Sequence, residues 1–358
     1  MKSIDLKFKN QFLYSYLFIL GMVTFSCSND DDAAAVDPSP ELVILAAKDV
    51  NGTEIVSIKS ESETIPLEML PDNNVSAMTV DNGIVYTSGY YKNNNEWNGV
   101  FWQGTAAQRL TDTGNRVYTV DIAIDKGDIY IAGREIVPGT SNLAKVWKNG
   151  VLKDLETPSF ALSIPNAIAI KGGESYTCGY IRPTLGGSSR AVIWKDQMLM
   201  ELPGNPNAVS ADARAIVVAG EDHYVAGYES DQSSSIGKIW RNDQLLYSIR
   251  IPEASLVLES IDVYEGDVYT IGRTLSTDGS GVRTLQYFKN NVSVAVLAQS
   301  ATSANAIKIK VIDGDVYCLG IYRDAQDNLV STIWKNGVEQ EFPYLDSQEL
   351  IYGFDFYR

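Results

Sequence analysis

The sequence has very little of the chemistry on which metal and nucleophile sites depend. Its 358 residues include one histidine and three cysteines, which is too few for a zinc site built from these ligands. His223 has no Gly-x-Ser-x-Gly segment to partner it in a catalytic triad. Positive charge is also scarce, since 29 Lys and Arg oppose 45 Asp and Glu for a net charge of −16. So acidic a surface repels phosphate backbones, and we expect no nucleic-acid partner, no polyanionic glycan and no cofactor.

One pattern of about 46 residues repeats along most of the chain. In each unit a Tyr stands three residues before a Gly, and an aromatic residue follows ahead of a polar turn such as Asn149-Gly150. The Tyr and Gly pairs are Tyr86/Gly89, Tyr130/Gly133, Tyr176/Gly179, Tyr224/Gly227, Tyr269/Gly272 and Tyr317/Gly320; the aromatic residues are Trp102, Trp147, Trp194, Trp240, Phe288 and Trp334. Each unit divides into four short strands, and no helical period competes with them. This repetition predicts a β-propeller.

The two ends of the chain supply the parts of one further blade. Residues 42–70 contain three strands without a first, with Ala47 at the Gly position and Ile58 at the Trp position. Residues 350–357 read as a first strand without successors. We therefore predict an all-β fold over residues 41–358. It is a seven-bladed β-propeller of four-stranded antiparallel blades, closed by pairing the C-terminal strand with the three N-terminal strands.

The N-terminus resembles a bacterial lipoprotein export signal. Basic residues precede an apolar stretch from Phe12 to Leu20, and Ser26 stands before Cys27, with Thr24 at the place where such signals usually carry Leu. The resemblance implies a signal peptide over residues 1–26, acylation of Cys27 and an acidic flexible tether over residues 27–40. It also implies anchoring in the outer membrane of a Gram-negative bacterium, facing the cell exterior. The alternative is ordinary signal cleavage with Cys27 as a bystander.

The repeat itself is similar to a predicted extracellular repeat of secreted bacterial proteins. The similarity lies in the Ala-x-x-Trp-x-x-Gly ending, which runs here from Ala144 to Gly150. That resemblance implies a propeller and carries no activity. Because the Tyr, Trp and Gly positions recur in every unit, we interpret them as packing between blades rather than as ligand contacts. Cys178 and Cys318 lie three units apart, so we expect buried free thiols.

Differences between the units are more informative about ligands than the repeat. The connections after the Gly are long and unlike, and they share one face with the connections between blades, whereas the opposite face has tight turns. Surface loops on a rigid scaffold often carry function, and Tyr, Trp and Arg are frequent binding anchors. The ligand-binding candidates on this face are Tyr90, Trp97, Arg134, Tyr180, Arg182, Tyr228, Arg273, Tyr322 and Arg323. The alternative is that the tyrosines merely cap their strands.

The first strand of each unit supplies a second set of candidates, facing the central channel. Most of its inward positions are small, as the crowding near the axis requires. The charged exceptions are Asp121, Asp262, Lys308, Lys310 and Asp355. We expect these residues to pair with one another across neighbouring blades; the alternative is contact with a ligand in the channel.

Together these patterns favour a non-catalytic binding or scaffold module on the outer cell surface. The protein would contact the membrane through the lipid at Cys27. It would bind a glycan or an envelope protein on the long-loop face. The alternative is a carbohydrate-active enzyme, either a glycoside hydrolase or a lyase, that uses a pair of loop carboxylates. The residues that could supply such a pair are Glu96, Glu135, Glu229, Asp231, Asp278 and Asp324.

Overall fold

The computed structural model describes residues 39–110, 114–138, 142–157 and 161–357, which form 28 β-strands in seven sheets. The predicted signal peptide, Cys27 and the tether up to residue 38 lie outside the described residues. Within the described ranges, no helix has the length and apolar character to cross a membrane.

The seven sheets are the blades of a propeller, and each has four antiparallel strands as predicted. Blade 1 contains β1 (Glu41–Val50), β2 (Thr53–Lys59) and β3 (Thr64–Pro66), with the last strand of the chain, β28 (Leu350–Tyr357), as its innermost strand. Blade 2 contains β4 (Asn74–Asp81), β5 (Ile84–Asn93), β6 (Glu96–Gln103) and β7 (Ala106–Arg109). Blade 3 contains β8 (Arg116–Asp125), β9 (Asp128–Ile136), β10 (Asn142–Lys148) and β11 (Val151–Asp154). Blade 4 contains β12 (Leu162–Lys171), β13 (Glu174–Arg182), β14 (Arg190–Lys195) and β15 (Met198–Glu201).

The remaining blades follow the same order, from the innermost strand outwards. Blade 5 contains β16 (Ser210–Ala219), β17 (Asp222–Ser230), β18 (Ser235–Arg241) and β19 (Gln244–Ile249). Blade 6 contains β20 (Ala254–Tyr264), β21 (Asp267–Ser276), β22 (Arg283–Lys289) and β23 (Val292–Ser300). Blade 7 contains β24 (Ala304–Ile312), β25 (Asp315–Arg323), β26 (Leu329–Lys335) and β27 (Val338–Glu339).

The predicted closure of the ring is confirmed. β28 pairs antiparallel with β1, from Tyr357 opposite Glu41 to Leu350 opposite Ala47. This pairing joins the two ends of the chain in one sheet and covers the inner edge of β1, which would otherwise be open.

The two faces of the ring differ because the turns differ. In blades 2 to 7, two-residue turns with positive φ, such as Asn149 (φ 51°) and Gly150 (φ 76°), join the first to the second and the third to the fourth strands. The opposite face, here called the loop face, carries the other connections. The segment from Tyr90 to Trp97, expected to be a long loop there, is instead a hairpin. Its strands β5 and β6 continue to a two-residue turn at Asn94 (φ 50°) and Asn95 (φ 67°).

The recurring aromatic residues pack between the blades. Trp102, Trp147, Trp194, Trp240 and Phe288 are fully buried, and Trp334 is nearly so. In five of the six units, the cation that ends the third strand lies over the ring of the repeat Tyr, as where Lys148 Nζ lies 4.9 Å from the centre of the Tyr130 ring. In blade 2 the corresponding partner of Tyr86 is Gln103. Cys178 and Cys318 are buried free thiols, as expected.

The expected correspondence of blade 1 was wrong by one residue. The register places Ala46, not Ala47, at the Gly position, and Lys59, not Ile58, at the Trp position. Lys59 is buried and pairs with Glu349 at 2.7 Å. Its Nζ donates to the Tyr344 carbonyl, just as Trp102 Nε1 in blade 2 donates to the Glu68 carbonyl. The lysine therefore keeps the inter-blade hydrogen bond of the tryptophan that it replaces.

Candidate functional site: the channel mouth on the loop face

Every innermost strand contains a β-bulge at the same register position, which in most blades is near the middle of the strand. One residue of each strand has no partner in the second strand, and these seven residues form what we call the bulge ring. They are Ser76, Val120, Asn166, Arg214, Glu259, Ile307 and Tyr352. All seven line a central cavity of about 560 Å³. Since a bulge turns its extra side chain away from the regular ladder, the seven bulges build the mouth of the channel from the least uniform positions of the repeat.

Deeper in the channel, the predicted acidic residues connect neighbouring blades. Asp121 accepts hydrogen bonds from its neighbour Ile122 N (2.9 Å) and from Ile168 N (2.8 Å) of the next blade. Asp262 accepts in the same way from the N–H groups of Val263 and of Val311 in the next blade. Burial raises the pKa of Asp121 to about 6 and also raises that of Asp262.

Lys308, Lys310 and Asp355 form a mixed group in the channel wall. Lys310 makes an ion pair with Asp355, and Lys308 lies 4.0 Å from the same carboxylate. Burial opposes ionisation of Asp355, but the two lysines outweigh it, so its pKa lies below the usual value. Asp355 also accepts from Val80 N of the next blade at 3.1 Å. The contacts of all five predicted channel residues are thus with one another and with neighbouring blades.

A chain of charged and polar groups crosses the mouth from blade 4 to blade 6. Asn166 Nδ2 donates to Asp212 (2.6 Å), and Arg214 bridges Asp212 (3.2 Å) and Glu259 (2.7 Å). Arg273 closes the chain through Nε, 2.9 Å from Glu259. Burial raises the pKa of Asp212 to about 6. Arg273 was predicted from the sequence, and it reaches the channel mouth through this network.

An aromatic cluster lies beside this network, between blades 2 and 3. Tyr90 is in edge-to-face contact with Trp97 (ring centroids 5.4 Å apart) and with Tyr118 (4.9 Å). The Arg134 guanidinium lies 5.5 Å from the centre of the Tyr118 ring. All four side chains are partly exposed, and Trp97 is the one tryptophan of the six that is not buried.

The next blade continues this surface with Tyr180 and Arg182. The two residues lie two apart in β13, and therefore on the same face of the strand. Burial and the Asp212 carboxylate raise the pKa of Tyr180, and Arg182 and Arg134 both oppose that rise. Both guanidiniums thus act on the same hydroxyl group from neighbouring blades.

The other predicted residues of this face lie away from the cluster. Tyr228 is opposite Asp212 in the register, with its hydroxyl 3.5 Å from Ser210 Oγ. Tyr322 packs against a buried core cluster, with its ring centroid 6.1 Å from that of Trp334. Arg323 is the last residue of β25, and it donates to the Asp327 carbonyl in the connection to β26 at 2.6 Å.

Each loop carboxylate that could serve catalysis has a partner within its own segment or an adjacent strand. Glu135 and Glu229 are buried and pair with Lys145 and Lys238. Glu96 pairs with Arg116 at 3.0 Å. Asp231, Asp278 and Asp324 accept hydrogen bonds from residues two to four positions further along the chain. Among the described residues, no three acidic, His or Cys side chains are grouped to hold a metal ion.

The bulge ring, Tyr118 and Asp212 were missed from the sequence. A signal was present, because each bulge residue stands two positions before the first of the two alternating apolar residues of its strand, as Asn166 stands before Ile168. The type of residue at that position changes in every blade, whereas its neighbours are small or apolar except for Asp121 and Lys308. Variation at a fixed register position would have identified the ring.

The fold resembles known propellers, and the sequence does not. No protein-family model matches the chain, and no curated protein matches it. One similar structure is the β-propeller domain of the Trilobed protease from Pyrococcus furiosus, described as having an open velcro topology. It has a TM-score of 0.52 and 11% identity over 84% of this chain and 97% of that one. Another is a puromycin-hydrolyzing peptidase from Mycobacterium tuberculosis, with a TM-score of 0.52 and 10% identity over 84% of this chain.

This chain spans about half of that peptidase, 54% of its length. At such low identity, the similarity to both proteins shows the fold alone. The chain is therefore a closed seven-bladed β-propeller, and its function has to be argued from its own mouth residues.

Proposed function

We propose that this protein is a non-catalytic binding module of the cell surface, held in the outer membrane by a lipid on Cys27, with its ligand at the loop-face mouth of the channel. The observation that carries the proposal is the aromatic cluster of Tyr90, Trp97 and Tyr118, capped by Arg134. These side chains stand on strands β5, β6, β8 and β9 rather than on loops. The binding surface is thus already in place before a ligand arrives, so ordering its side chains costs little conformational entropy on binding.

A glycan fits this surface better than an envelope protein does. Trp97 and Tyr118 have centroids 6.2 Å apart and planes tilted by 39°, and both are partly exposed. Neighbouring partly exposed rings of this kind offer apolar faces for sugar rings and polar tips for hydroxyl groups. A docking surface for a protein usually has a larger apolar core, whereas the network from Asn166 to Arg273 makes most of this mouth polar.

A carbohydrate-active enzyme is the second candidate, and Asp212 is the observation that favours it. A carboxyl group with a pKa of about 6 suits a general acid, and Glu259 lies on the other side of Arg214. Against this, Arg214 and Asn166 already hold both oxygens of Asp212. Hydrolysis of any polysaccharide, lost in Asp212→Asn, would favour the enzyme over the binding module.

The proposal is tested by screening the purified protein on a glycan array and by following tryptophan fluorescence. Because the other five tryptophans are buried, a ligand at the mouth should change the emission of Trp97. We expect Tyr90→Ala and Trp97→Ala to weaken binding at least about tenfold. Tyr264→Ala, beside a tight turn on the opposite face, is the matched control and should bind normally. Full binding by both mouth variants would refute the proposal.

A further inference from the structure

Two arginines at the mouth have no acidic partner. Within the described part of the chain, Arg134 and Arg182 form no ion pair, and the Nε of each is enclosed without a hydrogen bond. Four other arginines of the loop face are each paired with an acid: Arg116 with Glu96, Arg190 with Glu201, Arg273 with Glu259 and Arg323 with Asp327. Arg283 has no acidic partner either, but it donates to the carbonyls of Gly281 and Ala301, so the enclosed and unbonded Nε is what distinguishes Arg134 and Arg182. In a chain with 45 acidic residues, two adjacent unpaired arginines are a local reversal of the overall charge.

The two guanidiniums converge on one place. Arg134 lies in β9 of blade 3, and Arg182 lies in β13 of blade 4, two residues beyond Tyr180. Arg134 and Tyr180 each follow the repeat Gly of their strand, so they occupy equivalent positions in neighbouring blades, and Arg182 lies on the same strand face as Tyr180. Burial and Asp212 raise the pKa of Tyr180, and Arg182 and Arg134 lower it, in keeping with this arrangement. Arg134 is also held in place, since its guanidinium lies over the Tyr118 ring. The Arg134 side chain is therefore already oriented before a ligand binds, so binding does not have to restrict it further.

We propose that the ligand of this mouth carries a carboxylate, bound between Arg134 and Arg182 beside Tyr180, and that the ligand is a glycan containing uronic acid. The planar fork of a guanidinium matches the two oxygens of a carboxylate, and the pairing is strong where water is partly excluded. The sugar ring that bears the carboxylate then lies next to the aromatic cluster. This proposal rests on the proposed function and specifies its substrate class. It also replaces, for this part of the surface, the expectation from net charge that anionic glycans are repelled.

Uronate trimers and their methyl esters test the proposal, because the ester keeps the sugar and removes the charge. Galacturonate, glucuronate and mannuronate trimers are titrated into the protein, with Trp97 fluorescence and calorimetry as readouts. We expect at least one free acid to bind at least about tenfold more tightly than its ester. The affinity should fall between 50 and 500 mM salt.

Substitutions of the two arginines test whether they are the groups that bind the carboxylate. We expect Arg134→Gln and Arg182→Gln each to weaken uronate binding about tenfold or more, and Arg134→Lys to retain part of it, since lysine keeps the charge without the fork. Arg190→Gln is the matched control, because Arg190 lies on the same face and is paired with Glu201. Unfolding midpoints should be measured for all four variants, so that a loss of fold is distinguished from a loss of charge.

Three outcomes would overturn the inference: equal binding of acid and ester, full binding by both glutamine variants, or no binding of any uronate. If neutral glycans still bind at Trp97 in the last case, the proposed function stands and only the carboxylate assignment fails. If no glycan of either kind binds, both proposals fail.

Discussion

At the residue scale, the Gly of the repeat is explained by the bulge opposite it. In blade 6, a Cβ added to Gly272 would lie 2.6 Å from the Val257 carbonyl oxygen and 3.1 Å from Leu256 Cδ1. The bulge at Glu259 is what brings this backbone so close, and blades 2 to 7 share the arrangement. Glycine is therefore needed because a side chain would collide with the opposite strand, and not because of its backbone conformation, since Gly272 has no positive φ.

Gly272→Ala should therefore destabilise the protein by about 1–3 kcal/mol, because a methyl group would push β20 and β21 apart at a fixed backbone contact. Denaturant unfolding at neutral pH measures the change. Ala46→Gly is the control, since Ala46 occupies the same place in blade 1 and the substitution should cost only about 1 kcal/mol. Equal stability of Gly272→Ala and the wild type would show that the bulge contact is not close.

At the element scale, strands and turns could be predicted because their signals are local. Alternating apolar residues and turns such as Asn149-Gly150 depend on neighbours within one hairpin. The aromatic cluster at the mouth could not be predicted in the same way. Tyr118 lies opposite Arg134 in the β8–β9 hairpin only because the bulge at Val120 shifts the register by one residue. Tyr90 then joins them from the preceding blade, so its contacts depend on how whole sheets pack.

The innermost strands also show how the blades are connected. An acceptor side chain on one strand takes a backbone N–H of the next strand, which otherwise faces the channel without a partner. Asp121 accepts from Ile168 N in this way, and Ser260 Oγ accepts from Ile309 N at 3.1 Å. Asp121 and Ser260 occupy the same position, because each directly follows the bulge residue of its strand. The chain thus contains a charged and a neutral version of one contact.

This pair of contacts predicts a pH dependence of stability. Burial raises the pKa of Asp121 from its ordinary 3.8 to about 6, so the folded state binds this proton more tightly than the unfolded chain. Between pH 3.8 and about pH 6, the contribution of Asp121 to the free energy of unfolding therefore falls as the pH rises. Asp121→Ser should keep the Ile168 hydrogen bond and remove the part of the pH dependence that is due to Asp121, while the parts due to Asp212 and Asp262 remain. From pH 7 to pH 5 the wild type should gain about 1 kcal/mol more than this variant. Parallel pH profiles would contradict the raised pKa.

At the scale of the whole molecule, one strand decides whether the ring is closed. β28 contributes the fully buried Phe354, with Ile351 and Phe356 almost as deeply buried, to a cluster shared with blade 7. It also provides Tyr352 to the bulge ring and Asp355 to the channel. Loss of this strand would therefore affect the core, the mouth and the channel wall together, although it includes only the last residues of the chain.

Phe354→Ala should lower the free energy of unfolding by about 3–5 kcal/mol, because it leaves a cavity at the closure. Phe342→Ala, in the same cluster but only partly buried, should lower the free energy of unfolding clearly less.

Truncation after Glu349 removes β28 and opens the inner edge of β1, so we expect aggregation, relieved by a synthetic peptide of residues 350–358. Unfolding curves and light scattering measure both effects. A truncated chain that remains monomeric, with the stability of the full protein, would show that the ring holds together without the pairing of its ends.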